Sequence, residues 1–194
     1  MKLFFQIILK ITLILIFLVG CATIEETDPV AILDQGNVFC EEGQYDRAIS
    51  YYNKAIEINS RYVWAYNNRG LAYYYKGQYD KAISDYNKAL DINPSYFSAY
   101  NNKAWILATC PDSVYRDGVK AVELAKKAVE LDQKAMSLDT LAAAYAEAGK
   151  FEDAIITQEK VIVLLQKEGK PKSLIGESAE HLKSYKAHKP WREK

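Results

Sequence analysis

The chain has 194 residues with 25 Lys and Arg against 25 Asp and Glu, so it lacks the cationic excess that marks a nucleic-acid binder, and no nucleic-acid partner is expected. Nine Gly and five Pro exclude collagen-like sequence, while 49% hydrophobic and 12% aromatic residues argue against disorder. Two histidines, His181 and His188, and three cysteines, Cys21, Cys40 and Cys110, argue against a histidine-rich metal centre or a disulfide-dense framework, and no cofactor is expected.

Lys2 and Lys10 bracket the N-terminus, and Ile11 to Val19 is an uncharged apolar run ending at Gly20-Cys21. That run is too short for a membrane helix, which needs about 20 residues, and the order of charge, apolar stretch and small residue is that of a signal peptide. An uncleaved anchor over Leu3 to Val19 is the alternative, with Lys10 in its interior. Leu18-Val19-Gly20-Cys21 resembles the lipobox of bacterial lipoproteins. The resemblance implies removal of residues 1–20, acylation of Cys21 and a place in the cell envelope. The resemblance further implies that Ala22, which is not Asp, would favour the periplasmic face of an outer membrane where one exists, and otherwise the outer face of the cytoplasmic membrane. The mature chain would carry 23 basic and 25 acidic side chains. Residues 21–28 would form a tether whose seven residues after Cys21 reach at most about 25 Å.

A repeat governs the rest of the chain. Gln44 to Ser60 matches Gln78 to Pro94 at 12 of 17 positions with an offset of 34, and the same offset relates Gly43 to Gly77 and Asn67-Asn68 to Asn101-Asn102. A fixed period of this length marks a helical repeat array. Within a period the apolar spacing selects helix over strand: Tyr66, Gly70 and Tyr73 lie in one stretch. Gly77 breaks it, and Ala82, Ile83, Tyr86, Ala89 and Leu90 follow in the second. Asn93-Pro94 closes the second helix, and Asp28-Pro29 opens the first.

These hairpins resemble the tetratricopeptide repeat. The family's small residue in the first helix of each pair, helix A, corresponds to Gly36, Gly70, Ala104 and Ala142. Its small residues in the second helix, helix B, correspond to Ala48 and Ala55, Ala82 and Ala89, Ala121 and Ala128, and Ala154 with Val161. Tyr52 and Tyr86 fill the gap beside them. The implied fold is an all-α, right-handed superhelical solenoid of four antiparallel helix pairs at about 29–62, 63–96, 97–134 and 135–168, then a capping helix and basic tail over 169–194.

Two departures stand out. The third unit has five extra residues in its turn, Thr109 to Gly118, read either as a tolerated surface insertion or as a contact for a partner. The fourth has Gln158 where an aromatic belongs. A last helix is expected over about Ser173 to Ala187, with Leu174, Ile175, Leu182 and Tyr185 on its apolar side. Residues 166–194 carry eight basic and four acidic side chains, read as a solvated cap rather than an anion-binding patch.

No phosphate-cradling loop, HExxH, CxxC or GxSxG is present, so the chain is expected to have no catalytic and no metal-binding residues and not to be an enzyme. Cys40 and Cys110 fall in different units and are expected to be free, buried thiols. In stacked hairpins the A helices line a concave groove, which here would hold Asn37, Trp64, Asn67, Leu71, Tyr74, Asn101 and Trp105. Amides pair with a peptide backbone, and Trp and Tyr add contact area with few rotors. The family's carboxylate clamp would use Asn37 and Asn68, but Leu33 stands where a Lys is required, and Ser98 and Asn102 where the third unit should be basic. The expected function is a non-catalytic adaptor that binds a protein or peptide in the cell envelope. The alternatives are a self-assembling structural protein and a peptidoglycan or glycan binder.

Overall fold

The computed structural model describes residues 27–192. The signal-peptide and lipobox reading, with Cys21, lies outside the described residues. Within them every regular element is helical: α1 (Pro29–Glu41), α2 (Tyr45–Ile58), α3 (Val63–Tyr75), α4 (Tyr79–Ile92), α5 (Phe97–Thr109), α6 (Gly118–Leu131), α7 (Ala135–Glu147), α8 (Phe151–Lys167) and α9 (Lys172–Lys186). One turn of 3-10 helix, Ser113–Tyr115, interrupts the link from α5 to α6. No described helix is long and apolar enough to cross a membrane.

Local chemistry sets each boundary. Asp28 accepts a hydrogen bond from the Val30 N–H at 2.9 Å, and Pro29 follows at the first helical position, where a missing N–H costs nothing. At the turn from α3 to α4, the Gly77 and Gln78 N–H groups donate to the carbonyls of Tyr74 and Tyr73 at 2.8 and 2.9 Å. This reverse turn needs the left-handed φ of 69° that Gly77 supplies. Between hairpins, Asn59 and Asn93 each accept from the N–H two residues on, Arg61 and Ser95, both at 3.0 Å. Identical side chains at the 34-residue offset thus build identical joints.

The helices pair as antiparallel hairpins, α1 with α2, α3 with α4, α5 with α6 and α7 with α8, each stacked on the next, and α9 covers α8. Close approach is permitted by fully buried alanines: Ala48, Ala55, Ala82, Ala89, Ala121, Ala128 and Ala154. The contact within a hairpin follows a volume exchange. A Cβ on Gly36 would lie 2.6 Å from Tyr52 Cε1, and one on Gly70 would lie 2.7 Å from Tyr86 Cε1. In the third unit the partners at these positions are Ala104 and Ala125, both inaccessible to solvent. In the fourth they are Ala142 and Gln158. The large helix-B ring therefore goes with glycine on helix A, and its loss goes with a gained methyl.

Gln158 keeps its packing by a different route: it is fully buried, and its Nε2 donates to Asp139 Oδ1 at 2.6 Å and to the Ser178 carbonyl of α9 at 3.2 Å. The cap thus meets the array through polar atoms as well as through the apolar contacts of Tyr185 and Ile175. Its buried side is Ser178, His181 and Tyr185, with Ile175 packed alongside, whereas Leu174 is exposed, a rotation from the apolar side expected from the sequence. The cause is that Asp139 and Gln158 draw His181 and the Ser178 backbone inward.

The five-residue insertion is fastened at both ends. Tyr115 donates its hydroxyl to Asp80 at 3.0 Å, while Arg116 donates to the carbonyls of Cys110 and Pro111 and sits 3.2 Å from Glu147. Asp117 then caps α6 through the Lys120 N–H, 2.9 Å away.

Candidate functional site

The A helices α1, α3, α5 and α7 form the inner face. Across three of them runs a line of amides. Asn102 Nδ2 donates to Asn67 Oδ1 at 3.1 Å, Asn67 Nδ2 to Asn68 Oδ1 at 3.0 Å, and Asn68 Nδ2 to Asn37 Oδ1 at 2.8 Å. Tyr52 also donates to Asn37 Oδ1 at 3.0 Å. Outside this line, Arg69 grips Asp85 with two bonds of 2.6 and 2.7 Å and reaches Asn53 of α2 at 2.7 Å. Hydrogen bonding to Asp85 raises the guanidinium pKa further.

Beside the amides lies a cavity of about 700 Å³ whose lining includes Leu71, Tyr74, Asn101 and Trp105. Trp105 Nε1 donates to the Tyr74 hydroxyl at 3.2 Å, fixing both rings. Asn101 is buried, and its Oδ1, itself inaccessible to solvent, has no hydrogen-bond partner among the described residues. Stacked or tilted rings run along one rim: Tyr45 with Tyr75 at 5.3 Å, Tyr74 with Tyr79 at 5.9 Å, and Tyr79 with Tyr115 at 5.3 Å. The charges at the cavity are already engaged. Lys76 pairs with Asp46, and Asp139 accepts from Gln158 and lies 3.1 Å from His181 Nδ1.

Four of the seven residues expected in the groove therefore meet around one cavity: Leu71, Tyr74, Asn101 and Trp105. Asn37 and Asn67 are placed in the amide line, and buried Asn67 spends its amide on neighbours. Trp64 lies apart, half exposed, with its ring edge-on to Tyr62 at 5.6 Å. Sequence reasoning missed Met136, Asp139 and Thr140, which line the cavity from α7. Register could have found them: counted from Gly70 and Ala142, they are the fourth unit's counterparts of Trp64, Asn67 and Asn68.

Asn37 and Asn68 bond each other and Leu33 is buried, so this end of the face offers a carboxylate no cation from that position. Cys40 and Cys110 are free, Cys110 buried and Cys40 only half-buried, and burial raises both thiol pKa values. Among the described residues no group of three or more His, Cys, Asp or Glu is placed to hold a metal ion. The site offers rings and amides around one cavity.

Stacked antiparallel hairpins with small residues at each crossing define a helical-repeat solenoid. Models of the tetratricopeptide repeat match residues 63–96, and of the TPR repeat residues 36–76, so the chain carries tetratricopeptide repeats there. The solved structure of TTC0263, a thermophilic TPR protein in Thermus thermophilus, is similar at 19% identity over 78% of this chain and 81% of that one, with a TM-score of 0.66. A tetratricopeptide repeat protein from Parabacteroides merdae is 17% identical over 82% of this chain and 59% of that one, with a TM-score of 0.65. The first TPR of Spaghetti (RPAP3), bound to the HSP90 peptide SRMEEVD, is 22% identical over 61% of this chain and 91% of that one, with a TM-score of 0.53. At such identities the likeness is one of fold: an all-α tetratricopeptide-type solenoid. Comparison with curated proteins gave no match.

Proposed function

We propose that the chain is a non-catalytic adaptor that binds an extended protein segment in its concave groove, held to the bacterial cell envelope by a lipid on Cys21. The observation that carries the binding reading is the convergence of Leu71, Tyr74, Asn101 and Trp105 from two successive A helices on one cavity, with Met136 and Thr140 from a third. Rings already fixed by a hydrogen bond lose little freedom when a ligand arrives. A peptide complex of the Spaghetti array supports this use of the fold. With Leu33 in place of a cation and the rim charges already paired, a free acidic C-terminus is not the segment preferred here.

The test places a photoreactive residue at Leu71 in living cells. A single dominant crosslinked protein, lost in a Y74A/W105A variant that keeps its helical signal, is expected. Capture from Val114 of the insertion but not from Leu71 overturns the groove reading. For the anchor, Cys21→Ser should abolish radiolabelled palmitate incorporation; unchanged labelling refutes it.

A further inference from the structure

The groove ends where the chain folds back on itself. After α9, His188 adopts a left-handed φ of 55° and lies flat on Phe151, with centroids 5.0 Å apart and planes within 3°. That reversal carries Trp191 to 4.4 Å from the His181 ring and into the cluster formed by Ala142, Ala146, Ala154 and Tyr185. Arg192 then reaches across to α5 and α7: Nη1 donates to the Ala108 carbonyl at 3.2 Å, and Nη2 lies 2.5 Å from Glu147 Oε2.

The receiving surface has the make-up of a binding trough. By register, Ala108 and Ala146 are the third- and fourth-unit counterparts of Tyr74. Where the second unit projects a ring into the groove, these units leave space, and the tail supplies the ring. Glu147, with a side chain only 14% exposed, stands between Arg116 and Arg192, so loss of either guanidinium leaves a buried carboxylate with less compensation. His181 lies beneath Trp191 and also meets Trp105 and Asp139, which both line the cavity. An occupant continuing along the cavity would therefore meet Trp191.

We propose that the C-terminal end of the inner face is a recognition site for an aromatic residue followed by arginine, filled in cis by Trp191-Arg192 until a peptide segment of the same chemistry displaces it. This rests on the groove reading only in naming which occupant the tail would oppose.

The test uses the full chain and a fluorophore-labelled synthetic peptide with the sequence of residues 186–194. The unsubstituted chain should bind the peptide weakly because its own tail holds the site. The variant W191A/R192A should bind it at least about tenfold more tightly, and a peptide carrying both alanines should lose that gain. Should the double variant unfold, R192A alone, which keeps the indole over the core, should still bind the unaltered peptide more tightly than the unsubstituted chain does. Equal affinity for all chains, or no binding to a folded variant, overturns the inference. A chain that captures a partner through Leu71 yet ignores the tail peptide refutes this proposal and leaves the groove reading intact. Tail binding with no capture at Leu71 does the reverse.

Discussion

Replacing Gly70 by Ala sets two effects of opposite sign against each other. Alanine in a helix interior is favoured over glycine by about 0.8–1.0 kcal/mol. Here, however, the new methyl would stand 2.7 and 3.0 Å from Tyr86 Cε1 and Cδ1 and 3.2 Å from the Ala82 carbonyl oxygen. Tyr86 is 1% exposed and cannot swing away, so overpacking of about 1–3 kcal/mol applies. The net expectation is a loss of about 1 kcal/mol. Tyr86→Ala alone should cost about 3–5 kcal/mol, the usual range for truncating a buried aromatic. In that background Gly70→Ala meets no ring and should stabilise, restoring the pairing that Ala104 and Ala125 already make one unit on. The cycle should therefore show a coupling of about 2 kcal/mol, read from urea unfolding of the four chains followed by circular dichroism. Additive effects, or a G70A chain more stable than the original, would refute the volume-exchange account.

Asp85→Ala should destabilise by about 2–4 kcal/mol, because it leaves the Arg69 guanidinium, 19% exposed, without its two-pronged partner, and chemical denaturation should recover part of that loss in R69A/D85A. Burial raises the phenol pKa of Tyr52, Tyr86 and Tyr185, so the folded state holds protons that the unfolded state releases near pH 10. Stability from these groups is complete below that pH and declines as pH rises above it. Absorbance at 295 nm should show these three phenols ionising only with unfolding, and early titration of all tyrosines would contradict their burial. Cys110 should resist thiol reagents at neutral pH until denaturant is added, and half-buried Cys40 should react slowly, since burial keeps both largely as thiols; rapid native labelling of Cys110 would oppose the packing.

The hairpins were legible because period and composition agree: residues matching at an offset of 34 build the same turn at Gly77 and the same joint at Asn59 and Asn93. Helix-A register likewise predicts Leu71, Tyr74, Asn101 and Trp105 on one face, and the four line one cavity. What escaped is polar and long-range. Asn67 looks like a groove residue by register, yet its neighbours Asn68 and Asn102 consume its amide, which only the spacing between hairpins decides. On α9, Ile175 and Tyr185 pack inward as hydrophobicity predicts, but Leu174 stays exposed while Ser178 and His181 are buried, because half-buried Asp139 and buried Gln158 engage them. Trp191 and Arg192 gave no signal, since a short basic tail reads as solvated until a carboxylate opposite it is seen.

The amide line has a modular consequence. Asn102 and Asn68 are the same position one period apart, as are Lys103 and Arg69, and Asn87 and Asn53; Lys103 Nζ meets Asn87 at 2.6 Å as Arg69 Nη1 meets Asn53 at 2.7 Å. Excising residues 63–96 would join Tyr62 to Phe97 and offer Asn37 and Asn53 counterparts of the groups they now hold. The second unit's junctions are thus interchangeable with its neighbours', so gene shortening or duplication could alter the length of the array without redesigning a joint, although shortening would take Leu71 and Tyr74 from the cavity.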